Sequence, residues 1–124
     1  MSKKIIVVDD SDTVRRQVCA ALESAGYRTV EASDGLQGLR VAEENADACV
    51  IISDLNMPNL GGIDMIAKLK NGGKNANLAA LMLTTEGDPD LVKRAKIAGA
   101  RAWIVKPFRA DLLVATVRKL AGDA

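Results

Sequence analysis

The 124-residue sequence contains no histidine. That excludes a Ser-His-Asp or Cys-His nucleophile, a histidine-ligated zinc and a phosphohistidine carried by the chain itself. Cysteine is nearly as scarce, with only Cys19 and Cys49 and no CxxC spacing. One falls in a helical pattern and the other opens a strand pattern, so two buried reduced thiols are expected rather than a disulfide or a metal site. There is one Trp, one Tyr and one Phe. So few aromatics give little interleaving for stacking on bases, and no helix-turn-helix is spare, which argues against nucleic-acid binding. Long apolar runs are missing too. The stretches 48–52 and 78–83 are far too short to cross a bilayer. No positively charged start precedes an apolar stretch of signal-peptide length, so the chain reads as cytoplasmic. Its chemistry must come from carboxylates, Lys, Thr and a metal.

What is present is an ordinary globular balance, 48% hydrophobic and 27% charged, in one domain spanning 1–124. Net charge is +1, unevenly spread. Residues 1–90 hold 9 Lys and Arg against 14 Asp and Glu, whereas residues 91–124 hold 8 against 2. This reads either as solvated helix faces or as an acidic site near the front with a basic docking surface at the back.

The periodicity alternates between strand and helix. A continuous β-branched run over 4–8 predicts a strand buried on both faces. Val14, Val18, Leu22 and Ala25 then recur at helical spacing before Gly26. Residues 27–32 alternate as a second strand, Ser33 is the expected N-cap of a helix to about Asn45, and 48–53 form a third strand. Pro58, Gly61 and Gly62 mark a loop. Ile63, Ile66 and Leu69 share one face of a short helix closed by Asn71-Gly72-Gly73. A fourth strand is expected over 78–83. Asp88-Pro89 supplies an N-cap and a proline at the first position of a helix ending near Gly99. The fifth strand is expected over 101–105 and a last helix from about Arg109 to Leu120. Five short βα units predict a flavodoxin-like α/β domain, a parallel sheet of order 2-1-3-4-5 with helices on both faces. The last helix ends the pattern, so no output module is expected.

Four apolar runs end abruptly in polar residues: IIVV before Asp9-Asp10, CVIIS before Asp54, LML before Thr84-Thr85, and WIV before Lys106-Pro107. As parallel strands they share a carboxyl edge, where open α/β sheets bind ligands. Each residue alone also fits a plainer role: a turn with Ser11 or Asp12 as helix cap, a strand-ending Asp54, a turn hydroxyl on Thr84, a surface Lys-Pro turn. Together they assemble three carboxylates, a hydroxyl and an ammonium. With Lys106 offsetting one charge, about −2 remains at neutral pH. A hard dication such as Mg²⁺ suits that set. A carboxylate there can act as nucleophile and form an aspartyl phosphate, with Lys106, Thr84 and backbone N–H groups on the transferring oxygens.

The motifs IIVVDDS, DLNMPNLGG from Asp54 to Gly62, Thr84-Thr85-Glu86 and WIVKPF resemble, over the whole chain, the receiver domains of bacterial two-component response regulators. The resemblance implies Asp54 as phosphoacceptor, and Asp10, Asp54 and the backbone carbonyl of Asn56 as Mg²⁺ ligands, with Asp9 acting through water. It implies a phosphoryl contact from Lys106, a switch hydroxyl on Thr84 and a cis peptide at Lys106-Pro107. The phosphodonor would be a sensor histidine kinase. The Asn56, Thr85-Glu86 and Trp103–Phe108 segments look like chemotaxis receivers. Trp103 stands where many members carry Tyr or Phe as a switch aromatic, and it also fits an ordinary half-buried strand residue. Asn56 and Glu86 resemble positions that tune phosphoryl lifetime, or are plain surface groups. A flagellar motor switch protein is the implied downstream partner, docking on a basic surface with Lys93, Arg94, Lys96, Arg101 and Arg118; a phosphatase is a further candidate. Such a domain is a switch rather than an enzyme, with limited self-phosphorylation from small donors and self-dephosphorylation. A phosphate sink or relay would use the same pocket. Two rivals stand beside this reading. Asp10-Ser11-Asp12-Thr13-Val14 also satisfies the motif of haloacid-dehalogenase-type phosphatases, with Asp10 as nucleophile and Asp12 as general acid. A pseudo-receiver would only bind.

Overall fold

The fold was analysed in a computed structural model that describes residues 2–71, 75 and 77–123. Strands β1 (Lys4–Val8), β2 (Arg28–Ala32), β3 (Ala48–Ser53), β4 (Ala79–Thr84) and β5 (Ala100–Val105) alternate with helices. The helices are α1 (Asp12–Ser24), α2 (Gly35–Glu44), α3 (Gly62–Lys70), α4 (Pro89–Ala98) and α5 (Ala110–Ala121). All strand pairs are parallel, in the order β2-β1-β3-β4-β5. This is the expected flavodoxin-like arrangement. No helix is long and apolar enough to cross a membrane among the described residues.

Strand alternation sorts the core into two layers. Ile5, Val7, Val50, Ile52, Leu81 and Leu83 face α1 and α5, where Val18, Leu22, Leu113 and Val117 close the layer. Ile6, Val8, Ile51, Ala80 and Met82 face the other way, against Ala42, Met65, Ile66, Leu69 and Ala95 of α2, α3 and α4. Both faces of the central strands are therefore covered, which explains why β1, β3 and β4 read as unbroken apolar runs. Each such large side chain, fully buried, stabilises the fold by about 1.5–3 kcal/mol.

Several boundaries differ from the sequence expectation for identifiable reasons. Asp34, not Ser33, caps α2, because its carboxylate accepts the Gln37 N–H at 2.8 Å while the Ser33 hydroxyl turns to the Gln37 side chain. β4 is shifted by one residue: the Leu78 N–H is used by the Asn75 carbonyl, and Thr84 is the last residue of the strand rather than the first of the turn. β2 begins at Arg28, and β5 begins one residue early at Ala100, directly after Gly99, whose φ of 122° ends α4. Asn71 caps α3, while Gly72 and Gly73 lie outside the described residues. Asp88 caps α4 as expected. Both cysteines are free, but only Cys19 is buried; Cys49 is half-buried because β3 begins at the rim of the sheet.

The chain's end is stapled back across the sheet. The Tyr27 hydroxyl donates to Asp123 at 2.9 Å, and Lys3 pairs with the same carboxylate at 2.7 Å. Arg118 lies over the Tyr27 ring, 5.9 Å from its centroid. Burial, reinforced by the Asp123 carboxylate, pushes the Tyr27 hydroxyl up to about 12. The folded state thus disfavours the phenolate. Its contribution to stability is complete below the ordinary value of 10 and is lost as pH rises from there through about 12. Ultraviolet titration of the single tyrosine should show this displaced midpoint, and Tyr27→Phe should flatten the alkaline loss of stability. A midpoint at the ordinary value would break the argument.

Candidate functional site: an acid cluster at the carboxyl edge of the sheet

The strand order reverses between β1 and β3, so the loops after them diverge and leave a crevice. Register places the ends level: Val8 pairs with both Ala32 and Ser53, and Thr84 with Val105. The residues that follow β1, β3 and β5 therefore meet. Carboxylate oxygens of Asp9, Asp10 and Asp54 all lie within 4.8 Å of one another. Lys106 Nζ lies 2.8 Å from Asp9 Oδ2 and 3.4 Å from Asp54 Oδ2.

The three acids sit in different surroundings. Asp9 is buried, and its Oδ1 accepts the Ser11 N–H at 2.9 Å while its Oδ2 takes Lys106. Asp10 is exposed. Asp54 is intermediate, with Oδ1 accepting the Leu55 N–H at 2.7 Å and Oδ2 turned to the ammonium. Buried charge of this kind persists only when paired and hydrogen-bonded, as here. Ser11 keeps the plainer role as well: its hydroxyl accepts the Val14 N–H and caps α1. Asp12 does not reach the cluster. Its carboxylate is 72% exposed and pairs with Arg15 at 2.6 Å, which leaves the dehalogenase-type reading without its general acid.

The loop after Asp54 is held by close approach. A Cβ on Gly62 would lie 2.1 Å from the Asp54 carbonyl oxygen, so only glycine admits this packing. Asn59 has φ 69° and donates to Asp34 at 2.8 Å, tying the loop to the start of α2. Asn56 rides on this loop with its side chain exposed. It lines a cavity of about 350 Å³ with Glu86, Asp64 and Arg94. A second cavity of about 520 Å³ runs beside Lys106, between Val14 and Gln17 of α1 and Phe108.

Thr84 is buried at the end of β4, and its Oγ1 accepts the Glu86 N–H at 3.4 Å. The Lys106 N–H donates to the Thr84 carbonyl at 2.8 Å, and the Lys106-Pro107 peptide is cis, as the resemblance implied. Trp103 is half-buried, packed on the α2-α3-α4 layer, and its indole N–H donates to the Glu86 carbonyl at 2.9 Å. Sequence alone did not reveal that link, because a main-chain acceptor leaves no residue signature. The basic surface also needs correction. Arg118 packs over Tyr27 on the α1 side, so it does not join Lys93, Arg94, Lys96 and Arg101. Lys119 lines a groove of about 440 Å³ with Arg101 of β5 and Thr116 of α5.

The chemistry of the donor set, three hard carboxylates with no nitrogen or sulfur ligand, fits Mg²⁺. Fold and site together define a response-regulator receiver, and the chain belongs to that family: the response regulator receiver domain model matches residues 5–118. Among its relatives is chemotaxis protein CheY1 of Helicobacter pylori, 39% identical over 111 residues, 89% of this chain and 90% of that one. A chemotaxis protein CheY homolog of Campylobacter jejuni is 35% identical over 96% of this chain and 92% of its own. The crystal structure of Vibrio cholerae chemotaxis protein CheY4 superimposes with a TM-score of 0.90 at 36% identity, covering 97% of this chain and 99% of that one. Receiver domains of this kind are signalling modules rather than ordinary enzymes; phosphorylation from histidine kinases and Mg²⁺ binding are typical of them.

Proposed function

We propose that this chain is a phosphorylation switch in which Asp54 accepts a phosphoryl group from a sensor histidine kinase. The observation that carries this reading is the placement of Asp54 Oδ2, aimed at Lys106 and clustered with Asp9 and Asp10. Asp54 Oδ2 attacks the phosphorus, the P–N bond of the donor phosphohistidine breaks, and its electron pair remains on the imidazole. Bound Mg²⁺ would neutralise charge on the transferring group. Asp10, Asp54 and the Asn56 carbonyl would hold the ion, with Asp9 acting through water. Asp9 also holds Lys106 ready to exchange toward the new phosphoryl oxygens, a charge-assisted contact. Thr84 would supply a hydroxyl to the same oxygens. Asn56 and Glu86, which flank one cavity beside the crevice, would set access of water and hence phosphoryl lifetime.

The signal would leave through α4, β5 and α5. Thr84 moving toward the phosphoryl group would disturb the Glu86 turn, and with it the indole bond that holds Trp103. A shift of a few kcal/mol between two states suffices. The receiving face carries Lys93, Lys96, Arg101 and Lys119 with exposed Ile97, suited to an acidic, partly apolar partner segment. Likeness to chemotaxis proteins supports a flagellar motor switch protein in that role. A phosphate sink or relay step is the second reading, supported by the same pocket.

Three outcomes are expected. Acetyl phosphate with Mg²⁺ should label Asp54 on peptide mapping, and Asp54→Asn should abolish the label; label on Asp10 would sink the assignment. Phosphorylation or a phosphate mimic should shift Trp103 fluorescence beyond any quenching by Mg²⁺ alone; no shift removes the indole from the mechanism. Affinity capture with and without the mimic should enrich motor components only with it. Enrichment of kinase-side or phosphotransfer proteins alone would favour the sink or relay.

A further inference from the structure

Asp9 and Asp10 are neighbours in an extended chain, so regular alternation would send them to opposite faces of the sheet. Both nevertheless reach one cluster with Asp54. The chain bends at Asp10, and the Asp9–Asp10 peptide leads into that bend. Its plane is rigid, so fixing its carbonyl fixes the direction in which Asp10 leaves. The Asp9 N–H still bonds the Ala32 carbonyl at 3.1 Å, the last rung toward β2. The ladder goes no further: Asp34, whose N–H would donate to the Asp9 carbonyl in this register, instead caps the start of α2. The Asp9 carbonyl takes Arg15 instead: Nη1 donates to it at 2.7 Å. The same guanidinium donates through Nε to Glu31 at 2.8 Å and through Nη2 to Asp12 at 2.6 Å. Its side chain is 13% exposed. Three acceptors on β2, α1 and the β1–α1 turn thus fix a planar fork in one orientation.

We infer that Arg15 is the positioning residue of the acid cluster: its grip on the Asp9 carbonyl sets the peptide plane that lets Asp9 and Asp10 serve one cation. This rests on the reading of the cluster as a Mg²⁺ site. The role makes a prediction opposite to simple electrostatics. A cation beside an acidic pocket repels a dication, so by charge alone its removal tightens Mg²⁺ binding. If Arg15 positions the acids, its removal weakens binding, and so does a change that keeps the charge but loses the fork.

The test is Mg²⁺ affinity of the full chain by isothermal titration for the wild type, Arg15→Gln and Arg15→Lys, with thermal unfolding of each. Loss of groups that orient metal ligands typically costs about 10–100-fold in affinity, and a weakening of about 10-fold or more is expected in both variants. Affinity within about twofold of the wild type, or tighter, in a folded variant overturns the role. A merely structural arginine would lower the unfolding temperature and leave the Mg²⁺ affinity of the folded protein unchanged. Should Arg15→Gln not fold, Arg15→Lys decides the question. Failure of the wild type to bind Mg²⁺ would instead defeat the reading of the cluster, and Asp54→Asn, which should weaken binding, separates the two failures.

Discussion

Lys106 reaches back from the end of β5 to Asp9, and its ammonium is what makes three clustered carboxylates tolerable. The carboxylate oxygens lie within 4.8 Å of one another, so like charges there repel. The fold holds the acids together by spending its most rigid parts on them: two central strands, a paired lysine and backbone N–H groups from Ser11 and Leu55. A cluster of three carboxylates of this kind could hold a divalent cation.

The surrounding structure can be understood as support for that arrangement. Gly62 lets α3 press against the Asp54 carbonyl, and Asn59 anchors the connecting loop to Asp34 at the head of α2. Arg15 does the corresponding work on the other side, at the turn after β1. Thr84 and Trp103 connect the crevice to the opposite face through the Glu86 turn, by one hydroxyl contact and one indole bond.

Much of this was legible in the sequence because the sheet is buried on both faces. Unbroken apolar runs at β1, β3 and β4 announce themselves, and their abrupt polar ends name Asp9, Asp10, Asp54, Thr84 and Lys106. Long-range side-chain partners were not legible. No spacing along the chain marks Arg15, since its acceptors include a main-chain carbonyl and a glutamate on another strand. Arg118 and Lys119 are adjacent, and only the rotation of α5 shows that the first faces Tyr27 and the second faces Arg101. Ser33 and Asp34 are both good caps, and the chain's path at the end of β2 decided for Asp34.

By itself the sequence determined the alternation of strand and helix, the parallel sheet and the residue types available at its edge, because hydrophobic period and chemistry are local properties of the chain. The tertiary structure decided which of those residues touch. Register set the strand ends level, Lys106 came to lie closer to Asp9, at 2.8 Å, than to Asp54, at 3.4 Å, and Arg15 reached the Asp9 carbonyl. Those choices depend on distances across the fold, which no spacing along the chain encodes.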